Sequence, residues 1–160
     1  MDALLALMIL KVVHVLSASI WIGSIISISL AVRVVRATVG SPHSVTISAE
    51  IGRRLRPLTS TSLYLTLASG ILLAYERGFL SGLLSLELNY RPVFVVLLKI
   101  ALGISILLAV GYHTSLGSSL ARTEDDNVLS KARRKMIIVG WSTVVLSVIL
   151  AVLGTTLRFG

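Results

Sequence analysis

Apolar residues in this chain are gathered into four long runs, and most polar residues lie between them. The runs cover residues 3–32, 58–75, 93–116 and 136–157. About 20 apolar residues are enough for a helix to cross the hydrocarbon core of a bilayer. Helices are the expected form because lipid offers backbone groups no hydrogen-bond partner. The pattern predicts an all-α integral membrane four-helix bundle that forms a single transmembrane domain over residues 1–160.

Turn-forming residues divide these runs. We expect the first helix to end near Gly40 and the second to start at Pro57. Residues 44–57 would then form a short amphipathic helix on the membrane surface. Residues 76–92 join the second and third runs and are expected to dip into the membrane interface, and Pro92 suits the first turn of the third helix.

Small and hydroxyl-bearing residues recur at helical spacing on three of the runs. At about 100° per residue, Ser17 and Ser24 share a stripe with His14 and Trp21. Such faces let membrane helices approach closely and hydrogen-bond across the contact. We therefore expect the stripes to face inward, although the hydroxyls could instead bond only to their own backbone. The other two stripes are Thr59, Ser62, Thr66 and Ser69 on the second helix and Gly140, Thr143, Ser147 and Gly154 on the fourth.

The composition supports the membrane prediction. The mean hydropathy is +0.93, with 55% hydrophobic and only 14% charged residues, which is far from an ordinary soluble domain. The first apolar run is too long for the core of a secretory signal, so we expect it to be retained. The chain has no cysteine, which excludes disulfides, thiolate metal sites, iron–sulfur ligation and cysteine nucleophiles.

The net charge of +8 is explained by two basic loops. Positive loops stay in the cytoplasm, so both termini are expected outside and the protein is expected to be multi-pass in the plasma membrane. Anionic lipid accounts for the charge, and no nucleic-acid partner is needed. The loop residues are Arg33, Arg36, Arg53, Arg54 and Arg56 in the first loop, and Arg122, Lys131, Arg133, Arg134 and Lys135 in the second.

Four ionisable side chains lie inside the runs: Lys11, His14, Lys99 and His113. Such groups are costly in lipid and usually face a cavity or a partner. No Asp or Glu lies deep in a run, so a transporter built on carboxylate proton relays is not expected. Neutral imidazole is a good ligand for haem iron or copper, whereas a protonated lysine would neutralise an anion such as a propionate. The alternatives are a hydrogen-bonded core histidine and lysines that snorkel to the surface.

The expected depth of these residues decides which of them can meet. His14 and Lys99 fall within about one turn of the same level, in the outer half of the membrane. His113 lies roughly 15 Å deeper than His14, so the two histidines are not expected to bind one metal. His113 is therefore either an interfacial histidine or a ligand or proton carrier at a second, inner site.

A copper pathway has little support in the residues themselves. Cu(I) favours thiolate and thioether ligands. The chain has no cysteine, its only methionines are Met1, Met8 and Met136, and it has no Met-x-x-Met or His-rich tract.

Three stretches carry a resemblance to known families. "VVHVLSASIWIGS" resembles the first span of copper-resistance D (CopD-like) membrane proteins. "VFVVLLKIALGISILLAVGYHTSL" resembles the third span of that family, and still more that of HemJ, the membrane protoporphyrinogen oxidase that binds b-type haem. "ARRKMIIVGW" resembles the start of the last span. The chain departs from HemJ in lacking the Asn-Glu-x-Pro element before that span.

The resemblance covers most of the chain and implies functional roles for His14, for Lys99 and for the Tyr112–His113 pair. Its leading implication is a membrane haem b protein with His14 as an axial ligand and Lys99 or Lys11 beside a propionate. The function would be electron transfer or the oxidation of a porphyrin-like or quinone-like substrate. The cofactor-binding candidates are His14, Lys99, Lys11, His113 and Trp21, and the metal-ligand candidates are His14 and His113.

Two other functions stay open. One is a CopD-like copper-handling permease with His14 on the path. The other is a non-catalytic subunit of a larger membrane complex, or a homo-oligomer, in which the buried polar groups serve only helix contacts.

Overall fold

The computed structural model describes residues 2–39, 41–86, 89–120 and 126–156. Within these ranges the chain forms helices joined by turns, and no strand is present. This confirms the all-α prediction. The helices are α1 (Asp2–Thr38), α2 (Ser41–Glu76), α3 (Phe79–Leu84), α4 (Arg91–Leu120) and α5 (Asp126–Thr156).

Four of these helices are long and apolar enough to cross a membrane. The candidate spans are Leu4–Thr38, Thr46–Glu76, Arg91–Leu116 and Arg134–Thr155, and their mean hydropathies run from 1.3 to 2.8. In the most apolar 18-residue segment of each span, at most 28% is buried inside the chain. The remaining apolar surface needs a non-aqueous environment, which indicates a multi-pass membrane protein.

The chain divides into two compact units, Met1–Ser85 and Leu86–Gly160. In the first unit α1 and α2 pack against each other as an antiparallel pair, with Ser17 opposite Thr66. In the second unit α4 and α5 form another pair, in which Lys99 lies opposite Gly154.

Hydroxyl-bearing residues of each stripe face the helix contacts, as the sequence predicts, but nothing lies within 4 Å of a Cβ built on Gly140 of the third stripe. Ser17, Ser62 and Ser69 are buried in the first unit, and Thr143 and Ser147 are buried in the second. Most of their hydroxyls also donate to a backbone carbonyl one turn earlier. The bond from Ser62 Oγ to Leu58 O, for example, is 2.8 Å long. A hydroxyl that is satisfied within its own helix can enter an apolar contact without leaving an unpaired polar atom.

Pro57 does not start the second helix, and this prediction was wrong. Helix α2 is continuous through Pro57 and includes residues 44–57, which were expected to form a separate surface helix. Proline lacks an N–H, so the carbonyl of Arg53 loses its helical partner. Arg53 and Pro57 are both exposed, so water can bind that carbonyl and the helix need not end.

Helix α1 and the continuous helix α2 are both much longer than a bilayer requires. They contain 37 and 36 residues, or about 55 Å each, against a hydrocarbon core of about 30 Å. The surplus at the connected end carries exposed arginines. Glu50 forms ion pairs there with Arg53 and Arg54, each 2.6 Å long.

The connection between α2 and α4 is described in part, and its expected position in the membrane interface stays a prediction. Gly78 separates α2 from α3 and has a φ of 70°, a left-handed conformation that glycine adopts without strain. Helix α3 lies within residues 76–92, and Pro92 lies in the first turn of α4. Gly40 lies outside the described residues. So do residues 121–125, which include Arg122 of the second basic loop.

The position of Pro57 gives the first prediction. Pro57→Ala would restore an N–H to the interior of α2 and remove the steric conflict of the ring. We expect it to stabilise the protein by up to about 3 kcal/mol, measured as thermal unfolding in detergent with helix content followed by circular dichroism. Pro92→Ala is the matched control and should give no such gain, since a first-turn proline interrupts no helical hydrogen bond. Equal effects of the two substitutions would contradict a continuous α2.

Candidate functional site

The candidate site is a polar cluster between α1 and α2. His14 and Ser17 lie one turn apart on α1, and Thr66, Ser69 and Gly70 lie opposite them on α2. Helical spacing puts each set on one face, and the antiparallel pairing brings the two faces together. Ser17 and Ser69 are only 5% and 3% exposed, and His14, Thr66 and Gly70 are half-buried.

The ring of His14 is oriented by α2. Its Nδ1 lies 2.9 Å from the backbone oxygen of Thr66 and 3.1 Å from Ser69 Oγ. A carbonyl oxygen only accepts hydrogen bonds, so Nδ1 carries the proton and donates it. In the neutral ring the lone pair is then on Nε2. This is the tautomer that a metal ligand needs when it binds through Nε2.

The hydroxyl groups complete the cluster. Thr66 Oγ1 lies 2.9 Å from Ser17 Oγ, and Ser17 in turn donates to the backbone oxygen of His14, at 3.1 Å. Ser69 donates to the carbonyl of Leu65, which leaves its oxygen able to accept from His14. Two polar contacts therefore tie α1 to α2, one through the imidazole and one through the two hydroxyls.

Gly70 makes room for the imidazole, and the sequence analysis missed it. A Cβ at position 70 would lie 3.0 Å from His14 Cε1 and 3.4 Å from Nδ1, which is closer than such contacts normally come. The missing side chain lets the ring reach the Thr66 carbonyl one turn away. The available signal was the position of Gly70 directly after Ser69, but using it requires the register between α1 and α2.

Trp21 and Lys11 lie on either side of this cluster along α1. Trp21 is buried, with Leu63 of α2 as another buried residue of the same unit. Lys11 is exposed and lines a groove that also contains Arg77. Nothing in the sequence alone pairs Arg77 with Lys11.

Lys99 and His113 belong to the second unit. The Lys99 ammonium lies 3.5 Å from the position that a Cβ would take on Gly154, within the last turn of α5. A cation there is favoured by the negative end of the helix dipole. His113 is half-buried on α4, fourteen residues and about 21 Å of helix beyond Lys99. The expected approach of Lys99 to His14 stays a prediction.

The described side chains do not supply a multi-ligand metal cluster. In the described part of the chain, no three His, Cys, Asp or Glu residues lie close enough together to hold a metal ion.

Comparisons with known proteins found no relative: no family model, curated protein or solved structure matches this chain. The class of this protein is therefore defined by its fold and by the candidate site. The chain is an all-α protein with four candidate membrane spans and a hydrogen-bonded imidazole between the first two.

The contact at Gly70 gives the second prediction. Gly70→Ala would force the added methyl group against the His14 ring and displace it from the Thr66 carbonyl. We expect a loss of about 1–3 kcal/mol in stability, measured as thermal unfolding in detergent. Gly52→Ala is the matched control on the same helix, because nothing lies within 4 Å of a Cβ at that position. It should be neutral or slightly stabilising, through better helix propensity. Equal losses in both variants would count against the contact with His14.

Proposed function

We propose that this chain is an integral membrane b-type haem protein in which His14 is an axial ligand of the iron. The observation that carries the proposal is the hydrogen bond from His14 Nδ1–H to the Thr66 carbonyl. Histidines that bind metals typically donate their other ring N–H to a carbonyl or carboxylate, which selects the tautomer and orients the ring. The imidazole is half-buried and hydrogen-bonded to the neighbouring helix, as expected for an ionisable group that faces a partner rather than lipid.

The proposal assigns a role in haem binding to several residues of the chain. His14 Nε2 would bind the iron, and the Ser69 hydroxyl and Thr66 carbonyl would hold the ring in place. Lys99 would neutralise a propionate, which is the role that the resemblance implies for it. Trp21 would supply part of the apolar wall that keeps water from the site. When bound, haem supplies reversible one-electron chemistry.

Electron transfer, or the oxidation of a porphyrin-like or quinone-like substrate, is the function we assign to this site. The resemblance of the third span to HemJ supports that choice of substrate class. The same proposal includes a four-helix bundle in the plasma membrane with both termini outside. The five arginines at the connected end of α1 and α2 are all exposed, which supports a cytoplasmic location for that end.

A second candidate is a non-catalytic subunit of a membrane complex. The hydrogen bonds of His14 to Thr66 and Ser69 would also serve as a helix contact and nothing more. The large exposed apolar surfaces of the spans would then be covered by partner helices as well as by lipid.

The absorption spectrum of the purified protein gives the third prediction. Protein expressed with haem available should show a Soret band and, after reduction, an α-band. His14→Ala should abolish both, since it removes the proposed axial ligand. His43→Ala is the matched control, because His43 is exposed on α2 and lies outside the cluster. A wild-type spectrum from His14→Ala would refute the ligand assignment.

His14→Asn separates the two candidates. The asparagine amide can still donate to the Thr66 carbonyl but cannot replace imidazole as the iron ligand. A haem protein should lose its spectrum in this variant, and its thermal stability should match that of the wild-type protein prepared without haem. A colourless wild-type protein, destabilised by His14→Ala but not by His14→Asn, would instead support the non-catalytic subunit. A colourless wild-type protein that binds Cu(I) stoichiometrically would support the copper permease.

A further inference from the structure

Helix α2 carries a polar groove on one face, at the end of the pair that is connected to α1. The groove, called the Glu50 groove below, has an open volume of about 650 Å³, within the range of roughly 300–1,000 Å³ that ligand sites have. Glu50 is the only acidic residue between Asp2 and Glu76, and it lies here among cations. The residues that line the groove follow one helical face at spacings of three and four: Thr46, Ala49, Glu50, Arg53 and Arg54.

The ion pairs of Glu50 hold both guanidinium groups and leave part of each group available. Arg53 donates from Nε and Nη2 to Glu50 Oε2, at 2.9 and 2.6 Å, and Arg54 donates from Nε to Oε1, at 2.6 Å. Within the described residues, Arg53 Nη1 and the two Nη groups of Arg54 make no hydrogen bond. Glu50 Oε1 accepts one hydrogen bond and has a second lone pair. The groove can therefore bind an anion through its arginines and an N–H donor through its carboxylate.

The length of the uncharged part of α2 places the Glu50 groove at headgroup level. The 19 residues between Arg56 and Glu76 carry no charge and span about 28 Å, close to the hydrocarbon thickness of about 30 Å. Arg53 and Arg54 then lie about 3–5 Å of helix beyond Arg56, and Glu50 lies about 9 Å beyond it. Since the headgroup layer on each side is about 5–7 Å thick, the arginines lie within it and Glu50 lies at its outer edge.

The same face of α2 continues from the groove into the hydrocarbon. Pro57, Thr61 and Tyr64 follow Arg53 at spacings of four, four and three residues, and all three are exposed. They lie on the membrane side of the arginines, so an acyl chain can run along them while its headgroup stays in the groove. From the membrane outward, α2 therefore presents an exposed apolar surface, two cations and a carboxylate.

We propose that the Glu50 groove binds phosphatidylethanolamine, with its phosphate on Arg53 and Arg54 and its primary ammonium on Glu50. Acyl chain, phosphate and ammonium follow one another in this lipid in the order of their partners along α2. Phosphatidylcholine fits less well because its quaternary ammonium has no N–H to donate to Glu50 Oε1. Phosphatidylglycerol places no cation beside the carboxylate. The site is more specific than the general attraction of basic loops to anionic lipid, and it uses none of the residues assigned to haem binding.

The test is native mass spectrometry of the full chain in non-ionic detergent, titrated separately with the dioleoyl forms of the three lipids. We expect one copy of phosphatidylethanolamine to bind about tenfold more tightly than phosphatidylcholine, from one charge-assisted hydrogen bond. Diffuse attraction to the basic end gives no such preference, because neither headgroup has a net charge. Equal affinity of the wild-type protein for these two lipids would overturn the proposal.

The variant Glu50→Gln tests the contact with the amine. Phosphatidylethanolamine should bind about tenfold more weakly, at the level of phosphatidylcholine, because the charged acceptor is lost. Phosphatidylglycerol needs only the arginines, so it should bind at least as tightly as it binds the wild-type protein. An equal loss for phosphatidylglycerol would show that Glu50 acts only by holding the arginines, and it would overturn the assignment of the amine.

A double variant tests the contact with the phosphate. Arg53→Gln with Arg54→Gln should weaken phosphatidylethanolamine binding about 30-fold, from the loss of two cations at the membrane surface. Arg33→Gln with Arg36→Gln is the matched control, because it removes the same charge from exposed positions on α1 and should bind normally. Equal losses in the two double variants would contradict a site in the Glu50 groove.

Competition with the free headgroup distinguishes a lipid from a soluble ligand of the same chemistry. Phosphoethanolamine should not displace phosphatidylethanolamine, because it lacks the acyl chain that runs along α2. Displacement by phosphoethanolamine at equal concentration would show a site for a soluble amine phosphate and would overturn the assignment to lipid.

Discussion

The hydrogen bond between the His14 imidazole and the Thr66 carbonyl is the interaction on which the first helix pair depends. A polar side chain inside hydrocarbon has no water to bind, so it must find its partner within the protein. The partner here is a backbone carbonyl, which no substitution can remove. The bond fixes the register of α1 on α2, and that register sets the positions of Ser17, Trp21 and Lys11.

A glycine opposite a nitrogen-bearing side chain occurs in both units. Gly70 admits the His14 ring in the first, and Gly154 lies against the Lys99 ammonium in the second. The two pairs are separated by nearly the same number of residues along the chain. In each case the missing side chain lets a polar group lie against the backbone of the neighbouring helix, where the carbonyl dipoles are.

The two ends of the first helix pair meet different surroundings. At the connected end, α1 and α2 extend beyond the length that a bilayer requires. The arginines there are exposed, and two of them form ion pairs with Glu50. Such surface ion pairs contribute little stability, and their main effect is on charge and orientation. At the other end the helices finish at the expected membrane surface, and the groove with Lys11 and Arg77 opens there.

The sequence by itself determined the class, the four apolar helices and the inward faces of small residues, because hydropathy and helical spacing are local properties. It also singled out His14, since an ionisable residue in an apolar run stands out without any structure. It did not determine the continuity of α2, since a proline within a helical pattern can either end the helix or be accommodated inside it. Nor did it reveal Gly70 or the pairing of Lys11 with Arg77. Those depend on how α1 and α2 align, and only the packing of one helix against the other decided that alignment.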